Sequence, residues 1–253
     1  MAVQLQKWHG AGNDFLVDVQ LDEGFEWSPQ LAAQVCNRTH GVGADGLLVA
    51  SVGDSVSMVL FNADGSVAEM SGNGIRCLAA AVKRATQGKW ESLLVSTAAG
   101  VREVTLNLVG DRGTGSVEMG EVRLQEPQEG TLGVANVGNP HVVVLDDESY
   151  TMAEREAIAT KLSEAQGGAN VEFVTILSPS ELSIRVLERG AGWTQACGTG
   201  SCATATVARE AGLSGDVVTV NNPGGALKVS LNGFKATLQG PVQFVADVEW
   251  YGA

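Results

Sequence analysis

The chain has 253 residues and 44% hydrophobic content, enough for one large domain or two of ordinary size around a normal buried core. Its net charge of −13 argues against nucleic acid or an anionic membrane surface as partner, because both attract basic surfaces. No stretch approaches membrane-spanning length and no basic start precedes an apolar run, so a cytoplasmic location is expected.

In chain order, residues 3–6 and 15–19 read as strands joined by a turn at Gly10-Ala11-Gly12-Asn13. Ser28 is a helix cap with Pro29 in the first turn, and the helix runs to about Cys36. Strands at 46–51 and 57–61 lead to an alanine-rich helical pattern over 75–86. Strands follow at 92–96, 101–108 and 115–119, and the charged stretch 121–133, with Pro127, reads as a boundary. The same order then recurs: a strand at 142–145, a helix over 152–165, strands at 171–177 and 182–186, a helical pattern over 201–212, and strands to the end. Two similar α/β halves are expected, residues 1–120, completed by a strand near 245–253, and residues 121–244. Each would wrap a mostly antiparallel sheet around a central helix, with the site in a cleft between the halves.

Two short motifs open the two alanine-rich helices: Ser71-Gly72-Asn73-Gly74 and Cys197-Gly198-Thr199-Gly200, the second 126 positions after the first. Each places a nucleophilic residue at a helix N-terminus, where unpaired N–H groups and the helix dipole attract anions and lower the pKa of a thiol. Two such ends on one substrate would cradle a carboxylate and put a proton-transfer group on either side of the adjoining carbon, the layout of a racemase or epimerase. Cys197 is expected to be the most acidic of the four cysteines, with Cys36, Cys77 and Cys202 structural. Neither a disulfide framework nor metal-ligand spacing is present, so no metal site is expected. Taken singly, three further segments have bland readings: Asn62-Ala63-Asp64-Gly65 as a turn, Asn139-Pro140-His141 as a rigid strand entry, and Glu188-Arg189 as a solvated strand end.

Taken together with His9-Gly10-Ala11-Gly12-Asn13-Asp14-Phe15, Gly41-Val42-Gly43-Ala44-Asp45-Gly46, Gly72-Asn73-Gly74-Ile75-Arg76-Cys77, Asn170-Val171 and Ala196-Cys197-Gly198-Thr199-Gly200, they make the chain resemble the diaminopimelate epimerases over nearly its full length. The resemblance implies interconversion of LL- and meso-diaminopimelate for lysine and peptidoglycan-precursor synthesis, by two bases and without pyridoxal phosphate or any other cofactor. It places the reacting carboxylate on the N–H groups near Gly72, Asn73, Gly198 and Thr199, and the far amino-acid group on Asn13, Asn62, Asn139, Asn170 and Arg189. His141 and Glu188 would flank the reacting amino group and the two bases, Cys197 and position 71. A homodimer is expected.

The chain departs from the family at Ser71, where the family has a cysteine, and at Trp193, where its loop usually has a glutamate. An alcohol is a far weaker acid than a thiol, so Ser71 makes a poor base and a poor partner to a carbanion. Either the chain is an engineered Cys-to-Ser form or a natural protein with altered or lost activity. The rival readings are a cofactor-independent racemase for another amino acid and a non-catalytic amino-acid-binding homologue. Trp193 reads as a packing residue.

Overall fold

The computed structural model describes residues 2–22, 24–88 and 91–252. The chain divides into two units, Met1–Val117 with Gly240–Ala253, and Glu118–Gln239.

In the first unit β1 (Val3–Gly10) and β2 (Asn13–Gln20) form a hairpin closed by Ala11 and Gly12. Both turn residues have positive φ, 54° and 80°, the backbone that a two-residue mirror-image turn demands. The Ser28 hydroxyl accepts from the Leu31 N–H, and with Pro29 it starts α1 (Pro29–Cys36). β3 (Gly46–Val52) lies parallel to β2, β4 (Val56–Asn62) runs antiparallel to β3, and the short β5 (Val67–Ala68) pairs with β4. After α2 (Gly72–Thr86), β6 (Ser92–Thr97) returns parallel to β4, and β7 (Gly100–Val109) and β8 (Arg112–Glu121) add an antiparallel meander.

The second unit follows the same plan. β9 (Arg123–Gln125) and β10 (Gly133–Asn136) lead to β11 (Pro140–Leu145), then α3 (Met152–Ala165) and β12 (Asn170–Ser178), which lies parallel to β11. β13 (Glu181–Glu188) is antiparallel to β12, and β14 (Gly192–Thr194) pairs with it. α4 (Gly198–Glu210) precedes β15 (Val217–Asn222), parallel to β13, and β16 (Gly225–Asn232) and the start of β17 (Lys235–Trp250) close the order; from Gly240 on, β17 belongs to the first unit, where it runs antiparallel to β1. Strand for strand, β2, β3, β4 and β6 correspond to β11, β12, β13 and β15, with identical parallel and antiparallel senses.

The core of each unit is its long helix. Every residue from Gly72 to Val82 in α2, and from Gly198 to Ala208 in α4, is buried. A helix apolar on all sides has to be surrounded. Strands β1–β4, β6 and β7 pack on α2, and β10–β13, β15 and β16 pack on α4. The alanines at 79, 80 and 81, and at 203, 205 and 208, let those strands approach.

Several features differ from the sequence reading, among them the short strands β5, β10 and β14, which it did not include. Both long helices begin three residues earlier than their apolar periodicity, at Gly72 and Gly198, so each Gly-x-Gly forms the first helical turn rather than a loop before it. The cause is the preceding side chain, which caps the third residue and overrides the low helix propensity of glycine. α4 also stops at Glu210, with Gly212 beyond it at φ 72°. The charged stretch 121–133 hides β9, whose three residues are all exposed and show no alternation.

At Gly200, in the first turn of α4, there is no room for a side chain. A Cβ on Gly200 would lie 2.5 Å from Glu172 Oε1 and 3.2 Å from Cys197 Sγ, whereas one on Gly53 would meet nothing within 4 Å. Gly200→Ala is therefore expected to cost about 1–3 kcal/mol, and Gly53→Ala less than about 0.5 kcal/mol. Thermal melts of the two variants check this; equal midpoints would contradict the packing described.

Candidate active site

The two buried helices end alike. Ser71 has extended backbone (φ −137°, ψ 120°) and its Oγ accepts from the Gly74 N–H at 3.0 Å. Cys197 has nearly the same backbone (φ −119°, ψ 114°) and its Sγ accepts from the Gly200 N–H at 3.3 Å. The first turn of an α-helix holds N–H groups with no acceptor inside the helix, so each terminus presents an anion-binding cradle beside its capping atom. Gly72, Asn73, Gly198 and Thr199 make up those first turns.

Behind the α2 terminus lies an amide chain. Asn73 Nδ2 donates to Asn13 Oδ1 (3.3 Å), and Asn13 Nδ2 donates to Asp45 Oδ2 (2.7 Å). The fully buried Arg76 donates to Asn73 Oδ1 (2.8 Å) and to the Gly72 carbonyl (2.7 Å), which orients the first helical turn. Arg38 bonds both Asp14 and Asp45, and Lys7 pairs with Asp14. Burial pushes the Asp14 carboxyl up, and the bonds from Arg38 and Lys7 more than reverse it, so the group lies below the usual carboxylate range. Asn62 is exposed at the end of β4 and donates to Ser66 Oγ (3.0 Å), outside this chain of bonds.

Behind the α4 terminus lie titratable groups instead. His141 and Glu172 have fully buried side chains, with His141 Nδ1 2.6 Å from Glu172 Oε1 and Nε2 2.9 Å from Asn139 Oδ1. His141 and Asn170 are register partners on β11 and β12, and Asn170 Oδ1 accepts from the Arg189 N–H at 2.9 Å. The Arg189 residue is exposed, and its stem runs past Gly168, where a Cβ would lie 3.0 Å from Arg189 Cδ. Thr194 Oγ1 donates to Glu188 Oε1 (2.6 Å), and Thr199 Oγ1 lies 3.4 Å from Cys197 Sγ. Asn222 anchors the turn by accepting from the Cys197 N–H (3.2 Å). Structure thus joins Asn13 and Asn73 in one network, and Cys197, Thr199 and Gly200 in another beside Glu172, His141 and Asn139.

Electrostatics overturn the expectation of an acidic Cys197. Burial raises its thiol well above the ordinary range, and the Glu188 and Glu172 carboxylates raise it further; the Thr199 hydroxyl and the Gly200 N–H work the other way and lose. Glu188 is itself raised, chiefly by burial, against the lowering effect of Thr194 and of the Cys197 thiol. Cys197 at rest is a protonated thiol beside a carboxyl that holds its proton more tightly than usual. Cys36 and Cys77 are also pushed up, each to about 12 and mainly by burial, as structural thiols should be. Trp193 packs against the core of the second unit, its ring 6.0 Å from that of Phe173.

Sequence reasoning passed over Glu172, Arg76, Asp45 and Asn222. Glu172 carried a signal as a single acid in the otherwise apolar stretch Val171–Val174, and Arg76 and Asp45 lie within motifs that carry the family resemblance. Asn222 is an ordinary polar residue until the fold brings it to a helix end.

Known proteins give the same picture. The family model for diaminopimelate epimerase matches residues 5–125 and 133–245. A diaminopimelate epimerase from Desulforudis audaxviator is 36% identical, with 99% of this chain and 100% of that protein aligned. One from Synechococcus elongatus is 37% identical over 90% of this chain and 91% of that one, and one from Clostridium perfringens 33% identical over 97% and 98%. Among solved structures, a predicted epimerase from Pseudomonas aeruginosa aligns with a TM-score of 0.78 at 14% identity, covering 99% of this chain and 100% of that one. A probable proline racemase from Agrobacterium radiobacter aligns with a TM-score of 0.77 at 15% identity, covering 99% and 93%, which at that identity shows a shared fold. With its two capped helices and this full-length similarity, the chain belongs to the diaminopimelate epimerase family.

Proposed function

We propose that this isomerase acts on diaminopimelate, interconverting the LL and meso forms by two-base proton transfer, with Cys197 as one base and position 71 as the other. The observation that carries the reading is the identity of the two caps: Ser71 Oγ and Cys197 Sγ hold the same place on corresponding helices, each beside a cradle for the reacting carboxylate. Removing the α-proton leaves its electron pair on the α-carbon and builds negative charge toward that carboxylate. N–H groups already fixed there stabilise the charge without reorganising. The proton then returns from the opposite face, inverting the centre.

Roles follow from position. Cys197, protonated at rest, is the donor on its face, and Glu188, raised by burial and in contact with the Cys197 thiol, is the group that takes its proton when Cys197 acts as base. His141 holds the reacting amino group, and Asn139, which the resemblance assigns to the far group, is read here as its neighbour because its Oδ1 faces His141 Nε2. Arg189 grips the distant carboxylate with Asn62, Asn170 and Asn13 around it, since a guanidinium binds a carboxylate through two parallel hydrogen bonds. The site works in a cytoplasmic homodimer. With serine at position 71 the chain binds substrate and inverts it slowly; the same serine would suit a protein that binds the amino acid without turnover, and solvent exchange separates the two.

In heavy water this chain should exchange the α-proton of one diaminopimelate stereoisomer, because abstraction from the face of Cys197 needs only one base. Absence of exchange from either isomer, with binding confirmed by calorimetry, would favour the binding protein. Arg189→Ala should weaken diaminopimelate binding by about 2–5 kcal/mol if the charge pair is well desolvated, and unchanged affinity would contradict the substrate assignment. The raised Cys197 thiol fixes a sign as well: its alkylation should accelerate only above the free-thiol value of ~8.5, and Glu188→Gln, which removes a like charge, should move that inflection down. Peptide mapping over a pH series reads both, and an inflection near neutrality in the unmodified chain would contradict the burial and charge argument.

A further inference from the structure

Corresponding positions in the two units differ most sharply one layer beneath the capping residues. In the first unit Phe15 pairs with Gly46 across the parallel strands β2 and β3. In the second, His141 pairs with Asn170 across β11 and β12, so Phe15 corresponds to His141. Two residues along, Leu48 corresponds to Glu172. The helices confirm the match, because a Cβ on Gly74 would meet Leu48 Cδ2 at 3.4 Å and one on Gly200 would meet Glu172 Oε1 at 2.5 Å. Beneath Ser71 the pair is apolar, Phe15 and Leu48; beneath Cys197 it is His141 and Glu172, all four buried.

Replacing an apolar core pair by a carboxylate and an imidazole is costly unless the two serve each other. Glu172 Oε1 meets His141 Nδ1 at 2.6 Å, while Glu172 Oε2 is buried without a hydrogen-bond partner, an arrangement that a purely structural pair would have no reason to keep. Resting on the reading of His141 as a site residue, we propose that Glu172 is its positioning residue: the carboxylate accepts a hydrogen bond from Nδ1–H and locks the ring plane, and so aims the Nε2 edge at Asn139 Oδ1 and the reacting amino group. It acts through His141 and makes the Cys197 terminus chemically unlike the Ser71 terminus. The charged or titratable neighbours of the pair are Glu188 and Cys197.

The test compares the chain as it stands with Glu172→Gln, Glu172→Leu and the double variant His141→Phe with Glu172→Leu, which copies the Phe15 and Leu48 pair that the first unit already packs. Imidazole nitrogen NMR, with His141 assigned by its loss in the double variant, should show a protonated Nδ1 in the unmodified chain. In Glu172→Leu the lock should be lost: Nδ1 loses its acceptor and the proton should collect on Nε2, which faces Asn139 Oδ1. Solvent exchange into diaminopimelate should then fall by roughly 10²-fold or more in kcat, with KM little changed. Glu172→Gln, close in shape, should keep the melting temperature and still lose most of the rate. A bare Nδ1 in the unmodified chain, or an unchanged tautomer and rate in folded Glu172→Leu or Glu172→Gln, would overturn the proposal. Because the nitrogen spectrum is read without diaminopimelate, a failure of exchange in every form counts against the proposed substrate and leaves the lock to be decided by the spectrum alone.

Discussion

A helix buried on every side must end inside the protein, and its first N–H groups must find acceptors there or remain available to a ligand. That constraint shapes both units. Strands wrap α2 and α4 so completely that eleven successive residues of each are buried, and only one first-turn N–H in each is taken by the capping atom of residue 71 or 197. What is left is an anion cradle with a reactive atom at its lip. The cradle is a product of how the helix is buried, and the reactive atom is a product of which residue caps it.

The same burial decides the acid–base character of the site. A helix N-terminus draws a thiol pKa down, and the sequence alone suggested that this would govern Cys197. Desolvation and two carboxylates prove stronger, and the thiol is held protonated. Burial likewise raises Glu188. A thiol held protonated in this way needs a change in solvation or charge, such as an arriving zwitterion, before its proton moves.

Much of this was legible in the residues. Alternation and helical spacing located the strands and both long helices, and the spacing of Ser71 and Cys197 exposed the duplication. Glycine hid the true helix starts, because propensity scales penalise it where a cap and a crowded neighbour require it, as at Gly74 and Gly200. β9 was hidden by exposure, since a strand with no buried face leaves no periodicity to read. The Cys197 pKa was out of reach for a different reason: Glu172 and Glu188 lie on separate strands, and only their pairing across β12 and β13 brings both near one thiol. Ser71 and Cys197 cap their helices alike, since a hydroxyl and a thiol both accept from the third N–H of the helix.

The proposed two-base mechanism makes position 71 the missing half of the pair. Its most direct test is Ser71→Cys, assayed under reducing conditions by meso product formed from LL-diaminopimelate with no cofactor added. The serine form should be slower by about 10²–10⁴-fold and the cysteine form fully active. A serine form already at full rate, or a cysteine form that binds substrate and remains inert, would contradict it.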